Sequence, residues 1–328
     1  MLDTLVVTLS AISTLFIYMA IGFVLTRLGI LPRETSKVLS KLVVWVFYPA
    51  LGFITMAKNC TVETLEKNAT NIIFSTIALG VAIVIALLIA PFFARKDSYE
   101  IGIYKYSLTF ANNGYMGDPL VQAIYGDLAL SYYKFLTLPL NIAIYTWGVS
   151  NLIPKDKSGK NNLIRIINPS TVAIILGIVF GISGLGKMLP EFATNVLDSL
   201  KACMGPSAML LAGCTVAGYK IPNMLKNKKA YIATGLRLIL LPTLILSLIY
   251  FIKEGANLAF GLRIDNSFLL LLFFAFATPL GLNTVVYPES FGGDPEPGAG
   301  MTLISHTLCV ITIPILFSIM TLILGQYT

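Results

Sequence analysis

The chain has 328 residues, of which 56% are hydrophobic and 12% are charged, and its mean hydropathy is +0.81. This composition excludes an ordinary soluble domain and indicates an all-α integral membrane protein. The net charge of +7 does not indicate a nucleic-acid partner, because most basic residues fall in loops on one side of the predicted membrane spans. The sequence lacks a phosphate-binding glycine loop, a zinc-protease motif and a nucleophile elbow. We therefore expect neither an enzyme nor an ATP-driven pump, and no cofactor or metal.

Ten apolar runs separated by polar breaks predict ten transmembrane helices, since about 20 apolar residues suffice to cross a bilayer. The predicted spans are 4–27, 36–57, 71–94, 100–125, 128–153, 168–185, 191–218, 229–252, 266–290 and 299–325. The first run lacks a basic leader and a small-residue cleavage site, so we expect a retained helix rather than a signal peptide.

The distribution of basic residues predicts the orientation in a cytoplasmic membrane. Thirteen Lys and Arg residues follow the odd-numbered spans, whereas five lie in the loops on the opposite side. Because basic loops stay in the cytoplasm, odd-numbered spans should end inside the cell and both termini should lie outside it.

An internal repeat divides the chain into residues 1–153 and 168–328, joined by a cytoplasmic linker at 154–167. Spans 2 and 7 each begin with a Gly-to-Pro motif, which ends at Pro32 and at Pro190 respectively. A second proline follows in each span, Pro49 in span 2 and Pro206 in span 7. Two similar halves of five spans must face opposite ways, as in the inverted repeats of many secondary transporters. The alternative is a chance similarity between two proline-bearing helices.

The fourth span of each half contains helix-breaking residues near its middle. Phe110-Ala111-Asn112 leads to Pro119 in span 4, and Phe276-Ala277-Thr278 leads to Pro279 in span 9. Unwound backbone is tolerated at membrane depth where it is buried in protein or lines a cavity, so these breaks predict the substrate site. The positive ends of the half-helices, with the amides of Asn112, Asn113 and Asn283, suit a carboxylate. Proline kinks without a ligand are the alternative.

Asp118 is a carboxylate near the centre of the predicted span 4, where a charge is costly. It is either a site for a coupling proton or cation, or a cap for the free amides of the neighbouring half-helix. Other polar residues within spans are Lys105, Lys134, Asn141, Tyr145, Arg237 and His306. The single histidine, His306, is either a proton relay or a residue hydrogen-bonded within the bundle.

Several motifs, in this order and spacing, resemble the auxin efflux carrier family over essentially the whole chain. They are Asn112 through Pro119, Asn168-Pro169-Ser170-Thr171, Met188-Leu189-Pro190, Pro206 through Gly213, Arg237 through Pro242, and Ala277 through Gly281. In that family the residue before the span-4 proline is usually aliphatic, whereas this chain has Asp118. The chain also lacks the Asp–Lys pair that plant members carry, because span 3 begins without an acidic residue.

The resemblance implies a fold in which discontinuous helices 4 and 9 cross, and a homodimer formed through scaffold helices 1, 2, 6 and 7. Helices 3–5 and 8–10 would then move as an elevator. By position, Asn112 matches the substrate-facing asparagine, Asn141 a site-facing glutamine, and Tyr48 and Gly52 the scaffold wall of the site. Pro119 and Pro279, with Gly117 and Gly281 beside them, match the crossover, and Tyr145 is a further candidate site residue.

These observations predict a secondary transporter of small organic anions, leaning towards efflux and coupled to a proton or cation at Asp118. One alternative is a sodium-coupled organic-anion symporter of the bile-acid type, for which two sodium sites rich in Glu, Gln and Asn would be expected. The other alternative is a membrane receptor that binds its ligand without moving it.

Overall fold

The computed structural model describes residues 2–32, 34–94, 98–154, 169–261 and 264–325. Within these ranges the secondary structure is helical, apart from one isolated antiparallel bridge between Ala111 and Leu280. Most of the predicted linker at 154–167, with its basic residues, lies outside the described residues.

The helices of the first half follow the predicted spans closely. They are α1 (Leu2–Arg27), α2 (Thr35–Asn59), the short α3 (Val62–Lys67), α4 (Ala69–Phe93), α5 (Ser98–Thr109), α6 (Asp118–Leu136) and α7 (Leu138–Ala143). One π-helical turn, Asn113–Gly117, leads into α6, and another, Ile144–Gly148, continues α7. Span 4 is therefore interrupted at 110–112, where the sequence predicts its break.

The second half has a similar series of helices. They are α8 (Pro169–Ile182), α9 (Glu191–Gly218), the short α10 (Ile221–Leu225), α11 (Lys228–Phe260), α12 (Ser267–Ala277), α13 (Asn283–Phe291) and α14 (Glu296–Leu324). Span 9 is thus divided into α12 and α13 by residues 278–282, again at the predicted break.

Five helices in the described part of the chain are long and apolar enough to cross a membrane unaided: α2, α4, α9, α11 and α14. The other described helices are shorter or interrupted, except for α1, which is 26 residues long. One predicted boundary is wrong, because α11 continues to Phe260 whereas the sequence places its end at residue 252. The polar stretch that suggested an end remains helical, and within it the buried Lys253 ammonium pairs with Glu254 and donates to Asn266 Oδ1.

Glycine allows two pairs of helices to approach within backbone contact. A Cβ on Gly213 of α9 would lie 2.0 Å from the Met19 carbonyl oxygen of α1. Similarly, a Cβ on Gly181 of α8 would lie 2.4 Å from the Cys60 carbonyl oxygen at the end of α2. Small residues at such contacts provide the close packing that associates helices in lipid. The pairs α1–α9 and α2–α8 therefore form a tightly packed unit.

Three π-helical turns in the described residues come immediately before an α-helical stretch whose second residue is proline; the first turn lies within α2 and the third within α11. Val43–Phe47 precedes Pro49, Asn113–Gly117 precedes Pro119, and Leu236–Leu240 precedes Pro242. Proline has no N–H to donate and its ring clashes with the carbonyl four residues earlier, so the preceding turn widens. The prolines thereby fix where spans 2, 4 and 8 depart from regular α-helix.

Candidate functional site

The two interrupted spans meet through their backbones. The Asn112 amide donates to the Pro279 carbonyl oxygen at 2.8 Å, next to the bridge between Ala111 and Leu280. These bonds satisfy backbone groups that the helix breaks leave without helical partners, as a low-dielectric interior requires. Pro279, Gly281 and Asn112 thus lie at a crossing of two unwound segments.

A cavity of about 50 Å³ lies beside this crossing. It is lined by nine residues that the sequence predicted for the site: Tyr48, Gly52, Asn112, Asn113, Asp118, Asn141, Tyr145, Gly281 and Asn283. Ile174 of α8 and Met204 of α9 close the wall opposite the crossing. The cavity has room for about four water molecules, so anything larger than a compact ligand requires the walls to move apart.

Two tyrosines hold Asn283 at the start of α13. The Tyr48 hydroxyl donates to Asn283 Oδ1, and Asn283 Nδ2 donates to the Tyr106 hydroxyl at 2.6 Å. All three side chains are buried. The amide is therefore fixed between α2 and α5, and its orientation is set by residues from both walls of the cavity.

Asn112 is supported from behind by His306 of α14. His306 Nδ1 lies 2.9 Å from the Thr302 carbonyl oxygen, which only accepts, so Nδ1 carries the hydrogen. Nε2 then accepts from Asn112 Nδ2 at 3.2 Å. This geometry favours the interpretation of His306 as a bundle hydrogen-bonding residue over that of a proton relay. It leaves the buried Asn112 Oδ1 without a hydrogen-bond partner among the described residues.

Asp118 forms an ion pair with Lys134, and both residues line the cavity. A straight helix would separate residues sixteen positions apart by about 24 Å, so the pair requires the chain to turn back. It does so at Gly126, whose φ of 81° is readily adopted only by glycine. The structure adds a partner that neither sequence interpretation of Asp118 included: the carboxylate faces Lys134, and no side chain caps the start of α6.

The remaining predicted site residues lie at or near the crossing. Gly117 does not line the cavity; a Cβ there would lie 2.2 Å from the Tyr133 hydroxyl, which donates to the Asn113 carbonyl oxygen at 3.2 Å. Pro119 is the second residue of α6, where a missing N–H costs nothing. Asn141 accepts from Asn113 Nδ2 at a long 3.5 Å.

Sequence reasoning missed Tyr106, and it named Lys134 without assigning it to the site. Tyr106 lies six residues before Asn112, a spacing that gives no helical-face signal once the helix breaks between them. The Lys134 position could have been found by treating Gly126 as a turn between two helices. Lys105, which the sequence also named, is partly exposed and does not line the cavity.

The family described as "Membrane transport protein" matches residues 7–165 and 158–317. The chain belongs to this auxin efflux carrier family. The resemblance read from the sequence motifs is thereby confirmed, and the chain is a multi-pass membrane protein of a transporter family. The family matches include both unwound segments and every cavity-lining residue.

The relatives of this chain are distant in sequence. An uncharacterised transporter of Methanocaldococcus jannaschii is 24% identical over 64% of this chain and 70% of its own length. An uncharacterised transporter of Methanothermobacter thermautotrophicus is 22% identical over 74% of this chain and 79% of its own. The lysosomal cholesterol signaling protein of mouse is 23% identical over 75% of this chain, which spans only 30% of that protein.

Proposed function

We propose that this member of the auxin efflux carrier family is a secondary transporter of small organic anions in the cytoplasmic membrane. The observation that carries the proposal is the single cavity at which both unwound segments meet, lined by Asn112, Asn113 and Asn283. Amides and the positive ends of half-helices bind a carboxylate without the cost of a permanently buried charge. Asn113 and Asn283 each begin such a helical segment.

The walls of the cavity support an elevator mechanism. Tyr48, Ile174 and Met204 come from the tightly packed unit of α1, α2, α8 and α9, whereas the crossing belongs to the other helices. A site at the boundary between two groups of helices is exposed to alternate sides when one group slides past the other. In this proposal the glycine-packed unit is the scaffold, and spans 3–5 and 8–10 move.

The inverted repeat is part of the same proposal. In the repeat, α1 corresponds to α8 and α2 corresponds to α9. The contact of α1 with α9 therefore corresponds to the contact of α8 with α2, and both pairs pack through glycine. The same correspondence relates the break at 110–112 to the break at 278–282, which contact each other. The homodimer through the scaffold, the efflux direction and the extracytoplasmic termini rest on the family resemblance and the charge distribution alone.

In this proposal Asp118 is not the coupling site for an external proton or cation that its sequence position suggests. Its carboxylate already has a resident cation, Lys134, so an external sodium ion or proton would have to displace that ammonium. This pairing speaks against the sodium-coupled symporter as well as against a free proton carrier. The proposal is therefore a carrier whose anion site does not need an external cation.

Uptake of radiolabelled carboxylates by proteoliposomes tests the proposal. We expect saturable accumulation that is lost in Asn112→Ala and Asn283→Ala and is unchanged when sodium is replaced by choline. Strict sodium dependence would support the symporter instead. Saturable binding without flux would support a receptor, a possibility raised by the signalling name of the mouse relative.

A further inference from the structure

Arg237 is a fully buried cation without a partner among the residues that the structure describes. Its exposed fraction is 0%, and none of its three guanidinium nitrogens has a hydrogen-bond partner there. A guanidinium that is removed from water strongly favours an anionic partner. We infer that Arg237 is the built-in counter-charge of the transported anion and that it selects singly charged anions. The inference rests on the proposed function.

The position of Arg237 places it directly behind the crossing. It lies in the π-helical turn Leu236–Leu240 of α11, which packs against α5, α12 and α14. The first two of these are the half-helices that end at the breaks, and the third carries His306. Arg237 is within electrostatic range of Tyr106, whose side chain lines the cavity and accepts from Asn283. Tyr106 thus connects the surroundings of the guanidinium with the wall of the cavity.

The charged side chains that line the cavity neutralise each other. Asp118 and Lys134 neutralise each other, and His306 is neutral in the tautomer that its hydrogen bonds require. Four half-helix ends meet at the crossing, two negative and two positive, each worth roughly half a unit charge. Lys105 and Lys201 are partly exposed and do not line the cavity. Lys201 lies within electrostatic range of Asp118 and Lys134, but because it is partly exposed, water screens its charge.

Among the buried charges of the described residues, that of Arg237 is therefore the one left uncompensated at the site. A bound monoanion makes the loaded site neutral, which lowers the cost of moving it through the bilayer. A dianion leaves one excess negative charge, and a neutral analogue leaves the positive charge of the guanidinium uncompensated. Arg237, which does not itself line the cavity, thus acts through space as a specificity-determining residue.

Ligand-induced thermal shifts of the purified protein, read beside proteoliposome uptake, test this inference. The probes are acetate, butyrate, phenylacetate and indole-3-acetate, the amide of each acid, and malonate. The variants are Arg237→Gln, which removes the charge, and Arg237→Lys, which retains it. Lys253→Met is the matched control, because it removes another buried cation from the far end of the same helix.

We expect wild-type protein to bind the best monocarboxylate at least tenfold more tightly than its amide and than malonate. Arg237→Gln should abolish the preference for acid over amide, Arg237→Lys should retain it within about threefold, and Lys253→Met should leave it unchanged. If Arg237→Gln does not fold, the comparison of acid, amide and malonate on the wild type and on Arg237→Lys still decides the matter.

Each other outcome overturns a defined part of the account. If Arg237→Gln binds the monocarboxylate as tightly as the wild type, or if malonate binds best, the inference is wrong while measured uptake still supports the transporter. If monocarboxylate binding depends on Arg237 but no probe is taken up, the anion site stands and the transport proposal is wrong. If no carboxylate shifts the melting temperature, both are wrong.

Discussion

The backbone amide of Asn112 donates to the carbonyl oxygen of Pro279, 2.8 Å away, although 167 positions of sequence separate the two residues. This bond joins two helix breaks into one crossing and fixes the Asn112 side chain against His306. The candidate site is therefore made of two halves of the chain, neither of which contains it alone.

Replacing Asn112 by alanine should weaken binding of a carboxylate about tenfold to a hundredfold. A hydrogen bond to a charged group contributes about 1.5–3 kcal/mol, and each 1.4 kcal/mol corresponds to about tenfold in affinity. Isothermal calorimetry of the purified protein measures the change. Asn257→Ala, at the far end of α11, is the control and should bind as the wild type does. Equal affinity of Asn112→Ala and wild type would remove Asn112 from the site.

Replacing Lys134 by methionine should lower the free energy of unfolding by up to about 3–5 kcal/mol, because it leaves unpaired the Asp118 carboxylate, whose side chain is only 16% exposed. The double variant Asp118→Asn/Lys134→Met removes both charges and should recover most of the loss. Chemical denaturation in detergent micelles completes the double-mutant cycle. Lys67→Met breaks the exposed pair with Glu63 and should change nothing measurable. A double variant as unstable as the single one would contradict the pairing.

Replacing Tyr48 by phenylalanine should destabilise the protein by about 1–3 kcal/mol, because the buried Asn283 Oδ1 loses its donor. The thermal midpoint measures the loss, and Tyr132→Phe, at a partly exposed position on α6, is the control. Since Tyr48 belongs to the proposed scaffold and Asn283 to the moving part, this variant should also change the transport rate. An unchanged midpoint would show that another donor takes over.

Replacing Gly213 by alanine should destabilise the contact of α1 with α9 by about 1–3 kcal/mol or more, because the added methyl would overlap the Met19 carbonyl. Gly205→Ala, in the same helix, has nothing within 4 Å of its Cβ and should be neutral or stabilising by about 0.5–1 kcal/mol. The difference between the two melting temperatures is the measurement. Equal midpoints would show that the two helices separate easily.

The sequence by itself determined the features that depend on local chemistry. Hydropathy placed the helices, and proline and glycine placed the breaks at 110–112 and 278–282, because a missing N–H disrupts a helix whatever surrounds it. The family motifs are local as well, and they were sufficient for the family assignment. The same local reasoning predicted that the amides of Asn112, Asn113 and Asn283 belong to the site.

Tertiary structure alone decided which residues became partners. The link from Tyr48 to Asn283 spans 235 positions, and the link from Asn283 to Tyr106 spans 177, so no periodicity relates them. The sequence position of Asp118 indicates a coupling site or a helix cap. Only the reversal of the chain at Gly126 brings Lys134 next to its carboxylate. A buried charge is governed by its nearest opposite charge, and that neighbour is fixed by how helices pack rather than by residue order.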